Sequence, residues 1–170
     1  MKYAYYPGCS LEATAREYDL STRAVMGVLG IELEELEDWN CCGASSAHFL
    51  DGDLATRLAA RNMAIAERRG GDLLVPCAAC FHRLKCADKE LKKDGARWVE
   101  EPYQGKTEIY HINDFFDRPE FLGEVKRKVV RPLSGLGGVA YYGCLSSRPP
   151  KVTDSPNPEN PVSMDRLMRI

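Results

Sequence analysis

No stretch of the 170 residues stays apolar for the roughly 18 positions that a bilayer-spanning helix needs, so no membrane span is predicted. Met1 leads straight into Lys-Tyr-Ala-Tyr-Tyr, without the basic and apolar segments of a secretory leader, which predicts a cytoplasmic protein. Neither sign of charge dominates. Lys and Arg number 23 against 25 Asp and Glu, for a formal net charge of -2, so there is no positive surplus to attract nucleic acid or an anionic membrane. Also missing are a phosphate-binding loop, a serine-nucleophile motif and a pair of catalytic carboxylates, which removes the residues those chemistries need. Gly135-Leu136-Gly137-Gly138 is no dinucleotide fingerprint, because it precedes a strand-like run instead of following one and opening a helix.

What remains is an ordinary globular composition, 44% hydrophobic and 28% charged, in a length suited to one domain with a tail. Seven cysteines stand out against it. In a reducing compartment thiols serve metals or redox chemistry more often than disulfides, and an odd number cannot all pair.

The patterning predicts alternating strands and helices. Residues 2–6 read as a strand stopped by Pro7-Gly8, and Thr14 to Leu29 as a helix with Tyr18, Val25, Val28 and Leu29 at helical spacing. Ile31 to Leu36 alternates as a second strand. Asp53 is placed to cap a helix through Leu54, Leu58 and Ile65, closed by Gly70-Gly71. The wholly apolar Leu73-Leu74-Val75 reads as a central parallel strand, followed by a helix from Ala79 to Lys93. Glu108 to Ile112 and Gly138 to Tyr142 read as strands on either side of a helical stretch, Glu120 to Val130. The fold class is therefore α/β: a small parallel-sheet domain with flanking helices. Tyr3-Ala4-Tyr5-Tyr6-Pro7-Gly8-Cys9 is echoed by Val139-Ala140-Tyr141-Tyr142-Gly143-Cys144. The echo divides the chain into a first cysteine-rich domain, 1–135, and the start of a second, incomplete repeat, 136–170. Arg148 to Pro161 holds five of the ten prolines and reads as a loop.

On this map Cys9 follows the first strand, Cys41-Cys42 the second and Cys77 the third, with Cys80 in the opening turn of the next helix. The C-terminal ends of parallel strands share one rim, so the five thiols converge there. Helix N-termini on that rim favour thiolates, the form that binds soft metals. Five thiols are one more than tetrahedral zinc uses. A polynuclear iron–sulfur cluster, in which one sulfur can bridge two irons, fits the number better, and zinc with a spare thiol stands as the alternative.

The pattern Cys9, Cys41-Cys42-Gly43, Cys77-x-x-Cys80 resembles the cysteine-rich CCG domain. Its flanking words Tyr5-Tyr6-Pro7-Gly8-Cys9-Ser10, Glu37-Asp38-Trp39-Asn40-Cys41-Cys42-Gly43 and Pro76-Cys77-Ala78-Ala79-Cys80 resemble the catalytic B subunits of heterodisulfide reductases. The resemblance implies a non-cubane [4Fe-4S] cluster held by Cys9, Cys41, Cys42, Cys77 and Cys80. It implies two-electron reduction of a small-molecule disulfide, that of coenzymes M and B in the family. Its partners would be a ferredoxin-like C subunit and a flavin-bearing A subunit. Relatives with the same domain include lactate- and glycolate-oxidising and quinone-linked dehydrogenase subunits, so an electron-transfer subunit of that kind is the alternative. A zinc-binding structural module is the second alternative. In the family the motif occurs twice, and the second copy's Cys-Cys pair would fall just past Ile170.

Outside the motif, Cys86 reads as a buried free thiol and Cys144 as idle without its full repeat. His48 and His82 read as loop or helix-surface residues near the motif, His111 as a sheet residue, and Lys126 to Arg131 as a solvated helix face. Pro7, Gly8 and Gly43 shape turns around the thiols.

Overall fold

Four strands and ten helices follow one another in the computed structural model, which describes residues 1–170. They begin with β1 (Lys2–Tyr5), α1 (Cys9–Glu12), α2 (Arg16–Val28), β2 (Glu32–Glu35), α3 (Ser46–Leu50), α4 (Gly52–Arg69) and β3 (Leu73–Val75). Next come α5 (Ala78–Asp94), a 3-10 turn at Gly95–Arg97, β4 (Ile109–His111), α6 (Ile112–Phe116) and α7 (Pro119–Lys128). The last are α8 (Cys144–Ser147), α9 (Pro150–Thr153) and α10 (Ser163–Met168). The strands lie in the order β2-β1-β3-β4, and every pairing is parallel, with Tyr5 beside Glu35 and Leu74, and Val75 beside His111.

Successive side chains of a strand point to opposite faces, and this sheet buries both. Ala4, Tyr6, Leu73 and Val75 pack against α4 and α5 through Met63, Phe81 and neighbouring residues. Tyr3, Tyr5 and Leu74 face the other way, onto Met26 of α2, Phe115 of α6 and Phe121 of α7. A strand buried on both sides needs an apolar residue at every position, which is why β3 is Leu-Leu-Val. The result is a helix–sheet–helix sandwich. No helix is long and apolar enough to cross a membrane.

Four local expectations change. The cap of α4 is Asp51, whose carboxylate accepts from the N–H groups of Asp53 (2.7 Å) and Leu54 (3.2 Å). Asp53 sits inside the first turn, where its charge still suits the helix dipole. On α2 the side turned to the sheet carries Thr22 and Met26, while Tyr18, Val25 and Val28 are exposed. Tyr5 sets this rotation: its hydroxyl donates to Asp19 (2.7 Å), and Arg23 stacks over its ring, which turns the polar edge of α2 inward. Val25 and Val28 instead line a shallow apolar groove of about 320 Å³ with Val125 and Val129 beside α7. Residues 138–142 form no strand, and Val139 and Tyr141 lie in solvent because neither sheet edge pairs with them. The proline-rich stretch contains one helical turn, α9, opened by Pro150 at a position where proline costs no hydrogen bond.

The tail lies against the sandwich. Asp154 pairs with Lys85 (2.6 Å) and Lys89 (2.5 Å) of α5, Arg166 pairs with Asp117, and the Tyr142 hydroxyl donates to Asp165 (2.9 Å).

Candidate functional site

Each sequence-predicted thiol stands where a strand ends and a loop or helix begins. Cys9 opens α1, two residues past Pro7. Cys41 and Cys42 follow β2 through the left-handed Asp38 (φ 53°). Cys77 is the N-terminal boundary residue of α5, and Cys80 lies in its first turn.

The five thiols divide into an inner set and an outer pair. Cys42 and Cys80 are buried, and their sulfurs are 3.4 Å apart, within sulfur hydrogen-bonding distance. The Cys80 thiol is pushed far up by Cys42, then by Cys77 and then by burial. Cys42 is drawn down to about 7, by Cys80 first, with burial opposing and the Ala44 N–H and the Arg83 charge assisting. Cys77 is drawn down to about 6, again by Cys80 first, with burial opposing and the free N–H groups of Cys80 and Ala79 at the start of α5 assisting. The sulfurs of Cys42 and Cys77 are thereby drawn toward the thiolate form near neutral pH. Cys9 is exposed and Cys41 half-buried. Burial raises the Cys41 thiol, the Gly43 N–H opposes this, and the adjacent Cys42 and Cys9 raise it further.

Tyr6 lies under the group, fully buried, and burial followed by Cys80, Cys42, Cys41 and Cys9 raises its hydroxyl pKa. The fifth thiol, Cys77, bears likewise on Tyr18, whose hydroxyl reaches the Pro76 carbonyl at 3.4 Å. Topology has therefore brought all five predicted cysteines together.

Two glycines make room. A methyl on residue 8 would fall 2.7 Å from the Cys80 sulfur, and Gly8 adopts φ 76°, ψ 159°, a region essentially restricted to glycine. Gly43 (φ 77°) brings its loop so close to α4 that a methyl there would stand 3.0 Å from the Ala55 Cα. Gly8→Ala is expected to lower unfolding free energy by about 1–3 kcal/mol in a urea titration of the metal-free protein. An unchanged midpoint would remove this account of Gly8.

The donor set is sulfur alone, two of the sulfurs are predisposed to be thiolates, and the set is spread along a rim. No three cysteine, histidine or acidic side chains form a ready-made site for a single metal ion. Several soft metal atoms sharing sulfur ligands suit this donor set.

The remaining predicted residues stand apart. Cys86 is half-buried on α5, its thiol raised by burial, with its sulfur 3.8 Å from the Nδ1 of His82. His48 is exposed on α3 and Cys144 is exposed at α8. His111 is a core residue: burial lowers its pKa to about 4, it accepts from the Asn113 N–H, and its ring packs on Phe81. A surface groove of about 600 Å³ lies over β2 and α4 between Glu34 and Arg69, and no cysteine lines it.

Sequence reasoning missed Tyr6, Asn40 and Asn62 as parts of the site. The signal available was Asn62 itself, a lone polar residue on the buried face that α4 otherwise builds from Ala55, Ala59, Met63 and Ala66.

Residues 3–85, which include all five thiols, match the cysteine-rich domain family CCG. The chain is 36% identical over 176 residues to the 8-methylmenaquinol:fumarate reductase membrane anchor subunit of Wolinella succinogenes, covering 99% of this chain and 61% of that protein. It is 28% identical over 178 residues to the B subunit of the ferredoxin/F(420)H(2)-dependent CoB-CoM heterodisulfide reductase of Methanosarcina acetivorans, covering 98% of this chain and 59% of that one. A lactate utilization protein A 2 of Bacillus cereus is 24% identical over 156 residues, with 92% and 62% covered. The chain thus spans about three-fifths of the length of these curated relatives.

Proposed function

We propose that the chain is a CCG cysteine-rich protein similar to the B subunits of heterodisulfide reductases, and that its five rim cysteines bind a non-cubane [4Fe-4S] cluster in a cytoplasmic oxidoreductase subunit. The observation that carries this is the inner set: Cys42 and Cys80 are buried with their sulfurs 3.4 Å apart, and the half-buried Cys77 and the two outer thiols, Cys9 and Cys41, border them. When bound, such a cluster supplies electrons one at a time and an iron open to a substrate thiolate.

The chain's own residues do the holding. Cys42 and Cys77 donate as thiolates, Cys80 gives up its proton on ligation, and Gly8 leaves the Cys80 sulfur unobstructed. Cys9 and Cys41 close the outer side, the side open to solvent and hence to substrate. The reaction is reduction of a small-molecule disulfide: two electrons and two protons enter, the sulfur–sulfur bond breaks and two thiols leave. Electrons come from a ferredoxin-like C subunit fed by a flavin-bearing A subunit. Residues 1–135 form the ligand-bearing unit, and 136–170 begin a second repeat.

The 36% identity to a menaquinol:fumarate reductase subunit favours a second reading, electron transfer for a quinone-linked enzyme with no disulfide substrate. One preparation made without oxygen separates the readings, by iron, zinc and sulfide analysis with low-temperature EPR before and after thiol addition. About four irons and about four sulfides per chain with a thiol-sensitive signal are the expected result. The same content without thiol sensitivity favours the quinone-linked reading. Zinc alone overturns both and leaves a structural module.

A further inference from the structure

Asn62 is fully buried in the middle of α4, and its carboxamide grips one residue, Asn40, by both backbone groups. The Asn40 N–H donates to Asn62 Oδ1 (2.9 Å), and Asn62 Nδ2 donates to the Asn40 carbonyl (2.8 Å). The Tyr6 hydroxyl donates to that same carbonyl (2.7 Å) and lies 3.5 Å from Asn62 Nδ2. Asn40 passes the grip on: its own Nδ2 donates to the carbonyls of Cys41 (2.8 Å) and Leu58 (3.0 Å), and its Oδ1 accepts from Arg61 (2.9 Å). On the far side of the cysteine pair, Gly43 is seated against Ala55. Ala55, Leu58 and Asn62 stand at i, i+3 and i+7, so one face of α4 holds the chain immediately before and after Cys41-Cys42.

Cys41 and Cys42 are adjacent but differently placed, the one half-buried and the other buried, so a slip of one residue would put one thiol in the other's place. The inner sulfur is Cys42, 3.4 Å from Cys80, and the outer is Cys41, beside Cys9. We infer that Asn62, with Tyr6, is a positioning residue that locks the register of the vicinal pair and so selects Cys42 as the inner ligand and Cys41 as the outer one. The ligand roles rest on the cluster reading; the register lock is a property of the metal-free chain. A buried amide left without partners is costly, so the bracket holds only while Asn40 sits in this one register.

The test is pulse alkylation of the reduced, metal-free chain with a bulky neutral maleimide, with peptide mass spectrometry of Cys41 and Cys42. In the parent chain Cys41 is expected to react at least about tenfold faster, because access limits the buried Cys42. Asn62→Leu, similar in volume but unable to bond, is expected to bring the ratio to about unity while Cys77 labelling stays unchanged. A folded Asn62→Leu chain that keeps the parent ratio overturns the inference. If Asn62→Leu does not fold, Tyr6→Phe decides, since it removes one of the two donors to the Asn40 carbonyl. A fall of about threefold is expected and an unchanged ratio overturns the lock. Iron analysis of the parent chain judges the cluster reading separately: a chain that binds no iron can still show the ratio and its loss. Where iron is bound, Asn62→Leu is expected to shift the EPR line shape as well.

Discussion

Replacing Cys80 by alanine is expected to cut iron in the anaerobically reconstituted protein to less than about a tenth of the parent value, while Cys86→Ala leaves it unchanged. Both residues lie on α5, so a general weakening of that helix would affect them alike. Only Cys80 faces the rim, next to Cys42 and under Gly8. The six-residue step to Cys86 carries that thiol about 9 Å down the axis, out of reach of the other sulfurs. Metal-free protein gives a second readout. Cys80 is the first cause of the lowered pKa of both Cys42 (about 7) and Cys77 (about 6). With Cys80 gone, both thiols lose that support while burial still opposes ionisation, so the pH at which each becomes reactive toward iodoacetamide should move upward. Retention of full iron by Cys80→Ala would take Cys80 out of the ligand set. Unmoved reactivity profiles would show that it does not organise its neighbours.

Phe115→Ala is expected to have the largest effect on folding, about 3–5 kcal/mol by urea titration followed by circular dichroism. Phe115 is wholly buried on the sheet face opposite the sulfurs. Its ring stacks on Phe121 at 4.2 Å between centroids and meets Tyr3 edge-on at 5.0 Å and Phe116 at 5.6 Å. Truncation removes the shared centre of these contacts and leaves a cavity that short helices α6 and α7 cannot close without moving. A domain of this size holds only about 5–15 kcal/mol in total, so the loss is a large share of its stability. The folded fraction should nevertheless keep the parent Cys41-to-Cys42 labelling ratio, because the sheet separates the two cores. A loss below about 1 kcal/mol would mean that this core repacks freely.

Much of the candidate site is legible in the sequence. The run Leu73-Leu74-Val75 reads as a strand buried on both faces, and Pro7-Gly8 and Pro76 mark where the first and third strands stop. Once the strands are parallel, their C-terminal ends share a rim, so Cys9, Cys41, Cys42, Cys77 and Cys80 had to meet there. Asp51, two residues before Asp53, shows where that reading loses resolution. Either carboxylate satisfies the local preference, and the path of the chain from α3 chooses between them. The face of α2 differs from its apolar spacing for a related reason. Apolar spacing at Val25 and Val28 cannot foresee that Tyr5, with its hydroxyl on Asp19, would turn the helix by its polar edge.

By itself, the sequence determined the alternation of strands and helices, the parallel sheet and the five-thiol rim, because each follows from local periodicity and strand-end position. Only the tertiary structure decided that Cys42 and Cys80 lie inside and Cys9 and Cys41 outside, and that Asn62 holds the loop before Cys41. Those outcomes depend on distances between residues far apart in the chain, which packing of α4 and α5 on the sheet settles and no local preference contains.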